Sequence, residues 1–278
     1  MEPTLLNEIQ SVLHEAVIAA GKRSLEFFGR VEAEYKQSAT GPEQFSLADR
    51  AVQDLLIERI RSRFPSHGII AEEPPDASEG ILNLPPKPDA EPLWWVIDPI
   101  DGTNNFINGL GYYCVSVGVL GPAGPLAAAV YEPNREVLYH AVAGGGAFLG
   151  ATPLHARPQA FHQDAFIGIE SLYAGGIPPF LADWMTRLRT RNLGSAALHL
   201  CLVASGVFHA CFCLKPKVWD WAAGGLIVRE AGGTFSRPDG SDPFDLDLSG
   251  YRGKITPYLA ANPDVYPEVQ QAIGKHFE

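Results

Sequence analysis

The sequence predicts a two-part fold, α+β in its first half and α/β in its second, and three observations carry that prediction. Two helical apolar stripes open the chain, a run of short apolar segments separated by Gly/Pro turns follows, and beyond about residue 155 strands and helices alternate. At 278 residues there is room for one large domain or two packed halves. No internal repeat or flexible linker interrupts the chain, so residues 1–153 and 154–278 are expected to pack as one unit with a cleft between them.

In chain order, Thr4 can cap a first helix whose stripe is Leu5, Leu6, Ile9, Val12, Leu13, Ala16, Val17 and Ala20, closed by Gly29. Ser46 and Asp49 resemble a capping box for a second helix with stripe Val52, Leu55, Leu56 and Ile60, stopped at Pro65. Gly68 to Ala71 reads as a strand running into Glu72 and Glu73, and residues 74–92, rich in proline and acid, read as a surface loop. Trp94 to Ile97 reads as a buried strand ending at Asp98. Four apolar runs between Tyr113 and Leu149 then suggest an antiparallel meander. In the second half, strands are expected at Phe166 to Ile169, Val207 to Leu214 and Tyr258 to Ala261. Helices are expected at Pro179 to Leu188, Ser195 to Ala204, Asp220 to Glu230 and Val265 to Phe277.

Composition narrows the function classes. The formal net charge of −11 makes a nucleic-acid backbone an unsuitable partner, and an anionic substrate needs a bound cation to reverse the local field. Cys114, Cys201, Cys211 and Cys213 form no CxxC pair or zinc spacing and read as reduced thiols, which suits the cytoplasm. No apolar run is long enough for a bilayer. The eight histidines form no zinc motif, and His199, in an apolar helix, reads as a satisfied core histidine.

The segment Trp94 to Phe106, WWVIDPIDGTNNF, concentrates the chemistry. Asp98 and Asp101 offer hard oxygen ligands for Mg²⁺ on a turn stiffened by Pro99, with the Ile100 carbonyl between them. The N–H groups of Gly102 and Thr103 offer an anion cradle. Phosphoryl transfer needs charge neutralisation by such ions together with a positioned water. Glu72 and Glu73 upstream and Asp220 downstream extend the set; taken singly, the glutamates read as a solvated loop and Asp220 as a helix cap.

Together these residues resemble the inositol monophosphatase family, whose superfamily includes fructose-1,6-bisphosphatases and nucleotide 3′-phosphatases. Residues 95–106 (WVIDPIDGTNNF) match its first signature and 219–233 (WDWAAGGLIVREAGG) its second, while Ala71 stands where the family usually has glycine before Glu72-Glu73. The resemblance implies a layered α-β-α-β-α sandwich of the inositol monophosphatase/sugar phosphatase type. It implies Glu72, Asp98, the Ile100 carbonyl, Asp101 and Asp220 as ligands of two or three Mg²⁺ ions, and Glu72 and Thr103 as activators of the attacking water. Asp49 would support Thr103 or a further water, Lys36 would lie on a mobile loop near the site, and Gly194, Ser195 and Ala196 would line the substrate alcohol. A homodimer and sensitivity to lithium follow from the same resemblance.

One departure bears on the substrate. Inositol-specific members place a glutamate seven residues before the last aspartate, and here that position is Cys213, a poor acceptor. Lys215 and Lys217 follow it, and a basic rim would suit a second anionic group. The expected function is hydrolysis of a small phosphorylated metabolite, inositol monophosphate-like or a sugar phosphate. The alternatives are 3′(2′),5′-bisphosphate nucleotidase, fructose-1,6-bisphosphatase or histidinol-phosphatase activity. Two rivals remain: an aspartyl-phosphate phosphatase, which wants two aspartates separated by one residue, and a cation-binding scaffold without turnover.

Overall fold

The computed structural model describes residues 3–38, 41–74, 80–88, 91–171, 173 and 176–277. The Lys36 side chain and parts of the 74–92 segment lie outside what it describes. Helices α1 (Pro3–Leu25) and α2 (Leu47–Arg63) pack on each other. Between them, β1 (Glu34–Ser38) and β2 (Gly41–Phe45) pair antiparallel, a segment whose sequence has no apolar alternation to announce it. α2 starts as expected, with Ser46 as N-cap and the Asp49 carboxylate accepting the Ser46 N–H at 2.8 Å. Thr4 does not cap α1. It lies inside the helix after Pro3, and proline suits a first turn because its missing N–H has no partner to lose there.

The strands β3 (Gly68–Ala71), β4 (Leu82–Leu84) and β5 (Trp94–Asp101) follow, then the short α3 (Thr103–Ile107). The meander is β6 (Cys114–Gly121), β7 (Gly124–Glu132), β8 (Val137–Val142), β9 (Gly146–Leu149) and β10 (Thr152–Pro153). They form an eight-stranded sheet in the order β10-β9-β8-β7-β6-β5-β3-β4. Only β3 and β5 run parallel within it. The 74–92 segment is therefore not all loop, because β4 adds an edge strand.

The second half runs β11 (Phe166–Gly168), α4 (Pro179–Arg187), β12 (Arg189–Arg191), α5 (Ala196–Ala204), β13 (Ala210–Cys213), α6 (Val218–Glu230), β14 (Thr234–Ser236), β15 (Tyr258–Ala261) and α7 (Tyr266–Phe277). Its five-stranded sheet has the order β12-β11-β13-β15-β14. β12, β11 and β13 are parallel, and β15 is antiparallel to both neighbours, so the sheet is mixed. The strand expected from Val207 is shorter, and α6 begins two residues before Asp220.

Side-chain alternation explains the stacking. Ile69, Trp95 and Ile97 pack with Leu13, Val17, Val52 and Leu56 of α1 and α2. The intervening residues Ile70, Trp94 and Val96 share a core with Leu200 of α5, Trp221 of α6, and Cys211, Tyr258 and Ala260 of the second sheet. The other face of that sheet, Ala210, Phe212 and Leu259, packs with Trp184 of α4 and Val269 and Ile273 of α7. Period-two strands with both faces apolar must be covered on both sides, and the result is a five-layer α-β-α-β-α stack. The middle layer, α5 and α6, belongs to the second half in sequence yet packs on β6 and β7 of the first. A fully buried side chain such as Leu200 contributes roughly 1.5–3 kcal/mol, so this shared layer is what joins the halves. Among the described residues no helix is long and apolar enough to cross a membrane.

Candidate active site

β5 does not end at Asp98. Asp98 pairs with Ser116 and Asp101 with Cys114, so Pro99 and Ile100 together face the single residue Val115. On a regular strand, side chains three residues apart leave opposite faces. The extra residue resets the alternation. Both carboxylates therefore share the face of Cys114, the one covered by α5 and α6, while Ile100 turns into the core under α1 and α2. Proline is tolerated at such a bulge because it has no N–H to withdraw from the ladder. The expected turn is thus an extended strand with one irregularity.

Gly102 follows with φ +99°, in the left-handed region that favours glycine, and α3 begins at Thr103. The Thr103 hydroxyl lies 2.9 Å from the Ile100 carbonyl and 3.2 Å from Asp49 Oδ1. Asp49 Oδ2 meanwhile accepts from the Ser46 backbone and hydroxyl at 2.8 and 2.7 Å. One carboxylate thus caps α2 with one oxygen and holds Thr103 with the other. Glu72 directly follows β3, and its loop is clamped from α2. Gln53 donates to the Glu73 carbonyl at 2.7 Å and accepts the Glu73 N–H at 2.9 Å. Gln53 belongs to no motif, so only its burial among polar residues of α2 could have pointed to it.

Asp101 reaches across to α5. Its Oδ2 accepts from the Ser195 hydroxyl at 2.5 Å and the Ala197 N–H at 2.6 Å, and Oδ1 from the Ala196 N–H at 3.2 Å. The first turn of a helix is a favourable place for a carboxylate. Asp220 does not open α6 but stands third in its first turn, where its Oδ2 accepts the N–H of the N-cap residue Lys217 at 2.6 Å. Burial pushes the Asp98 carboxyl well above the usual carboxylate range, and Glu72, Asp101, Asp220 and Asp49 all add to that. Burial likewise raises Asp220, with Glu72 and Asp101 adding. Burial lifts Asp101 to about 6, against the opposing hydrogen bonds from Ser195, Ala197 and Ala196.

This is a donor set for a hard divalent cation: oxygen ligands only, in a buried cluster of like charges that a cation would relieve. Among the described residues, no three of these side chains converge on one point as they stand. Asp101 and Asp220 direct oxygens to backbone N–H groups instead.

Beside this cluster opens a cleft of about 750 Å³, lined by Asp101, Gly194, Ser195, Ala196, Cys213 and Asp220 among the expected residues. Glu72, Asp98, Thr103 and Asp49 do not line it. Gly194 has φ +77°, and a Cβ there would sit 2.6 Å from Asn105 Nδ2. That amide donates to the Tyr112 and Leu193 carbonyls at 2.7 Å each, tying α3 to the second half. His199 accepts the Leu193 N–H at 3.0 Å, and burial lowers its pKa to about 4, so it is a neutral, satisfied core histidine. Neither Lys215 nor Lys217 lines the cleft: Lys215 is exposed, and Lys217 is buried with Nζ 5.8 Å from the Trp219 ring centroid. The expected basic rim is absent among the described lining residues. Glu170, just beyond β11, lines the cleft instead and receives hydrogen bonds from the Cys213 thiol at 3.0 Å and the Leu214 N–H at 2.9 Å. The sequence did carry a signal for it. Phe-Ile-Gly-Ile-Glu, like Trp-Val-Ile-Asp, is an apolar strand running into a carboxylate.

The model of the inositol monophosphatase family matches residues 5–273. The chain belongs to the inositol monophosphatase family. Within it, the chain is 33% identical to an inositol-1-monophosphatase of Synechocystis, over 98% of this chain and 91% of that one. It is 30% identical to a protein of Neisseria meningitidis named as a putative Nus factor, SuhB, over 98% of this chain and 100% of that one. A solved inositol monophosphatase structure from Thermotoga maritima superposes with a TM-score of 0.78 at 25% identity, covering 95% of each chain. Like its family, the chain is a metal-dependent phosphoric monoester hydrolase, which removes the scaffold without turnover from consideration.

Proposed function

We propose that this chain hydrolyses the monophosphate ester of a small hydroxylated metabolite, an inositol phosphate or sugar phosphate, with Mg²⁺ as its cation. The observation that carries the reading is the bulge in β5, which turns Asp98 and Asp101 to one face. Glu72, Asp98, the Ile100 carbonyl, Asp101 and Asp220 would hold two or three Mg²⁺ ions. Bound there, Mg²⁺ supplies charge neutralisation for the phosphate and a more acidic water. The N–H groups of Gly102 and Thr103 bind phosphate oxygens. The Thr103 hydroxyl, held against Asp49, orients the attacking water, and Glu72 accepts its proton. The leaving alcohol rests along Gly194, Ser195, Ala196 and Cys213, with Asp101 and Asp220 at the border of the two ends. In this division residues 1–153 supply the phosphate end and 154–278 most of the alcohol end.

The test is a phosphate-release assay over inositol 1-phosphate, fructose 1,6-bisphosphate, a nucleotide 3′,5′-bisphosphate and histidinol phosphate. Turnover that EDTA abolishes and Mg²⁺ restores is expected. Trapping of a phosphoenzyme would instead revive the aspartyl-phosphate route. The family reading extends to a cytoplasmic homodimer inhibited by lithium, which gel filtration and a lithium titration of the same assay check. The Neisseria relative's name supports a second role in binding a macromolecular partner, although a net charge of −11 opposes direct contact with nucleic acid.

A further inference from the structure

We propose that Glu170 selects the substrate's alcohol: its carboxylate accepts hydrogen bonds from hydroxyl groups in the cleft and disfavours an ester with a second anion at that end. The proposal rests on the phosphatase reading and specifies its substrate class as a neutral polyol or sugar monophosphate.

Glu170 lines the cleft together with Asp101 and Asp220, and it is half-buried. Its Oε2 is held by two donors at the end of β13, the Cys213 thiol and the Leu214 N–H. Its Oε1 makes no hydrogen bond with any described residue. A carboxylate anchored through one oxygen and open at the other is a preorganised acceptor, and an ionised one binds hydroxyl donors more strongly than a neutral group does. No described lysine or arginine lines the cleft. The Arg191 guanidinium, next in sequence to the cleft-lining Asn192, lies over the Phe166 ring at 4.8 Å and donates to the Thr190 carbonyl. A distal phosphate would therefore meet Glu170 with no lysine or arginine in the described lining beside it, whereas hydroxyls would find an acceptor beside the neutral Ser171 and Asn192.

Glu170→Gln tests this with little change of shape. The donors at Cys213 and Leu214 retain the amide oxygen, so the amide NH₂ turns to the cleft and an acceptor becomes a donor. The ratio of kcat/KM on inositol 1-phosphate to that on phenyl phosphate, which has no hydroxyls, is expected to fall about tenfold or more, chiefly through KM. The ratio of fructose 1,6-bisphosphate to inositol 1-phosphate is expected to rise. Glu170→Ala should shift both ratios in the same directions. Equal changes on all three esters, or none, would overturn the proposal. The wild-type enzyme gives an independent reading that needs no variant: a preference for fructose 1,6-bisphosphate over inositol 1-phosphate also overturns it. Wild-type protein that hydrolyses none of these esters would sink the phosphatase reading itself, a result distinct from wild-type turnover with unmoved ratios.

Discussion

The proposed phosphate end of the site draws five of its residues from one contiguous stretch, whereas the proposed alcohol end is assembled around β11 and β13, with Glu170 and Cys213 separated by 43 positions. At the first end, Asp98, Ile100, Asp101, Gly102 and Thr103 lie within six residues, and a single bulge orients them. At the second, a carboxylate reaches the cleft from one strand and is held by donors on the next. In the proposed division the phosphate end answers to one chemistry, and the alcohol end to whichever alcohol is bound. A contiguous motif fixes the former, while long-range contacts can change the latter without disturbing the motif.

The largest expected effect divides the ends most sharply. Asp98→Asn, which removes a proposed metal ligand, should lower kcat about 10³-fold or more on every ester, the scale on which phosphoryl transfer depends on charge stabilisation. The same change removes a buried charge that four other carboxylates oppose. Thermal melting in EDTA should therefore show the variant at or above the wild-type midpoint. A variant that loses activity and also melts lower would show that Asp98 supports the fold rather than opposing it. Thr103→Ala comes next, with about a 10²-fold loss in kcat shared by all esters, as befits loss of a positioned water. A loss confined to polyol esters would move Thr103 to the alcohol end and break the division.

That division also explains how much was legible in the sequence. The capping box at Ser46 and Asp49, the strand at Gly68–Ala71 and the order of the acidic motifs were readable because each signal is local. The bulge was not, because DPID on a strand and DPID in a turn have the same residues; only the partner strand shows that Val115 faces two of them. β12 and β14 have three residues each and β10 two, too short for alternation to register. β1 and β2 are polar. Gln53 acts through a contact 20 positions away and nothing near it in the chain marks its role, while the apolar run before Glu170 marks a carboxylate at a strand end but not the contact 43 positions away that holds it. Lys217 reads as a solvated or substrate-facing cation in the sequence because its burial, with the ammonium over the Trp219 ring, is set by tertiary packing.

His199 offers a pH-dependent handle on the alcohol end. It accepts the Leu193 N–H through Nε2, and burial holds its pKa at about 4. A histidine whose pKa is lowered by folding contributes stability that is complete above its unfolded pKa and is lost as pH falls toward the folded value. For this shift the loss is about 3 kcal/mol across the window from about pH 6.5 to about pH 4. His199→Asn, which cannot take up the proton, should flatten that part of the melting profile. A wild-type midpoint as steep in the variant would assign the acid loss to other groups, with His14, also lowered to about 4 by burial, the first to examine.

The smallest expected effect concerns the lysines. The sequence places Lys215 and Lys217 next to Asp220 and so predicts a basic rim for a second anion, but the folded chain directs neither of them into the cleft. Lys217 is buried beside Trp219, so its removal would disturb packing as well as charge and would not isolate the question. Lys215 is exposed, and substitution there leaves the core untouched. Lys215→Ala should therefore change kcat/KM by less than about twofold on every ester, fructose 1,6-bisphosphate included, as expected for a solvated charge largely screened at physiological salt. A selective loss on the bisphosphate would restore the rim and place a cation where Glu170 now makes the wall acidic. The lysine and the glutamate thus predict opposite substrate preferences, and the bisphosphate-to-monophosphate ratio in the two variants decides between them.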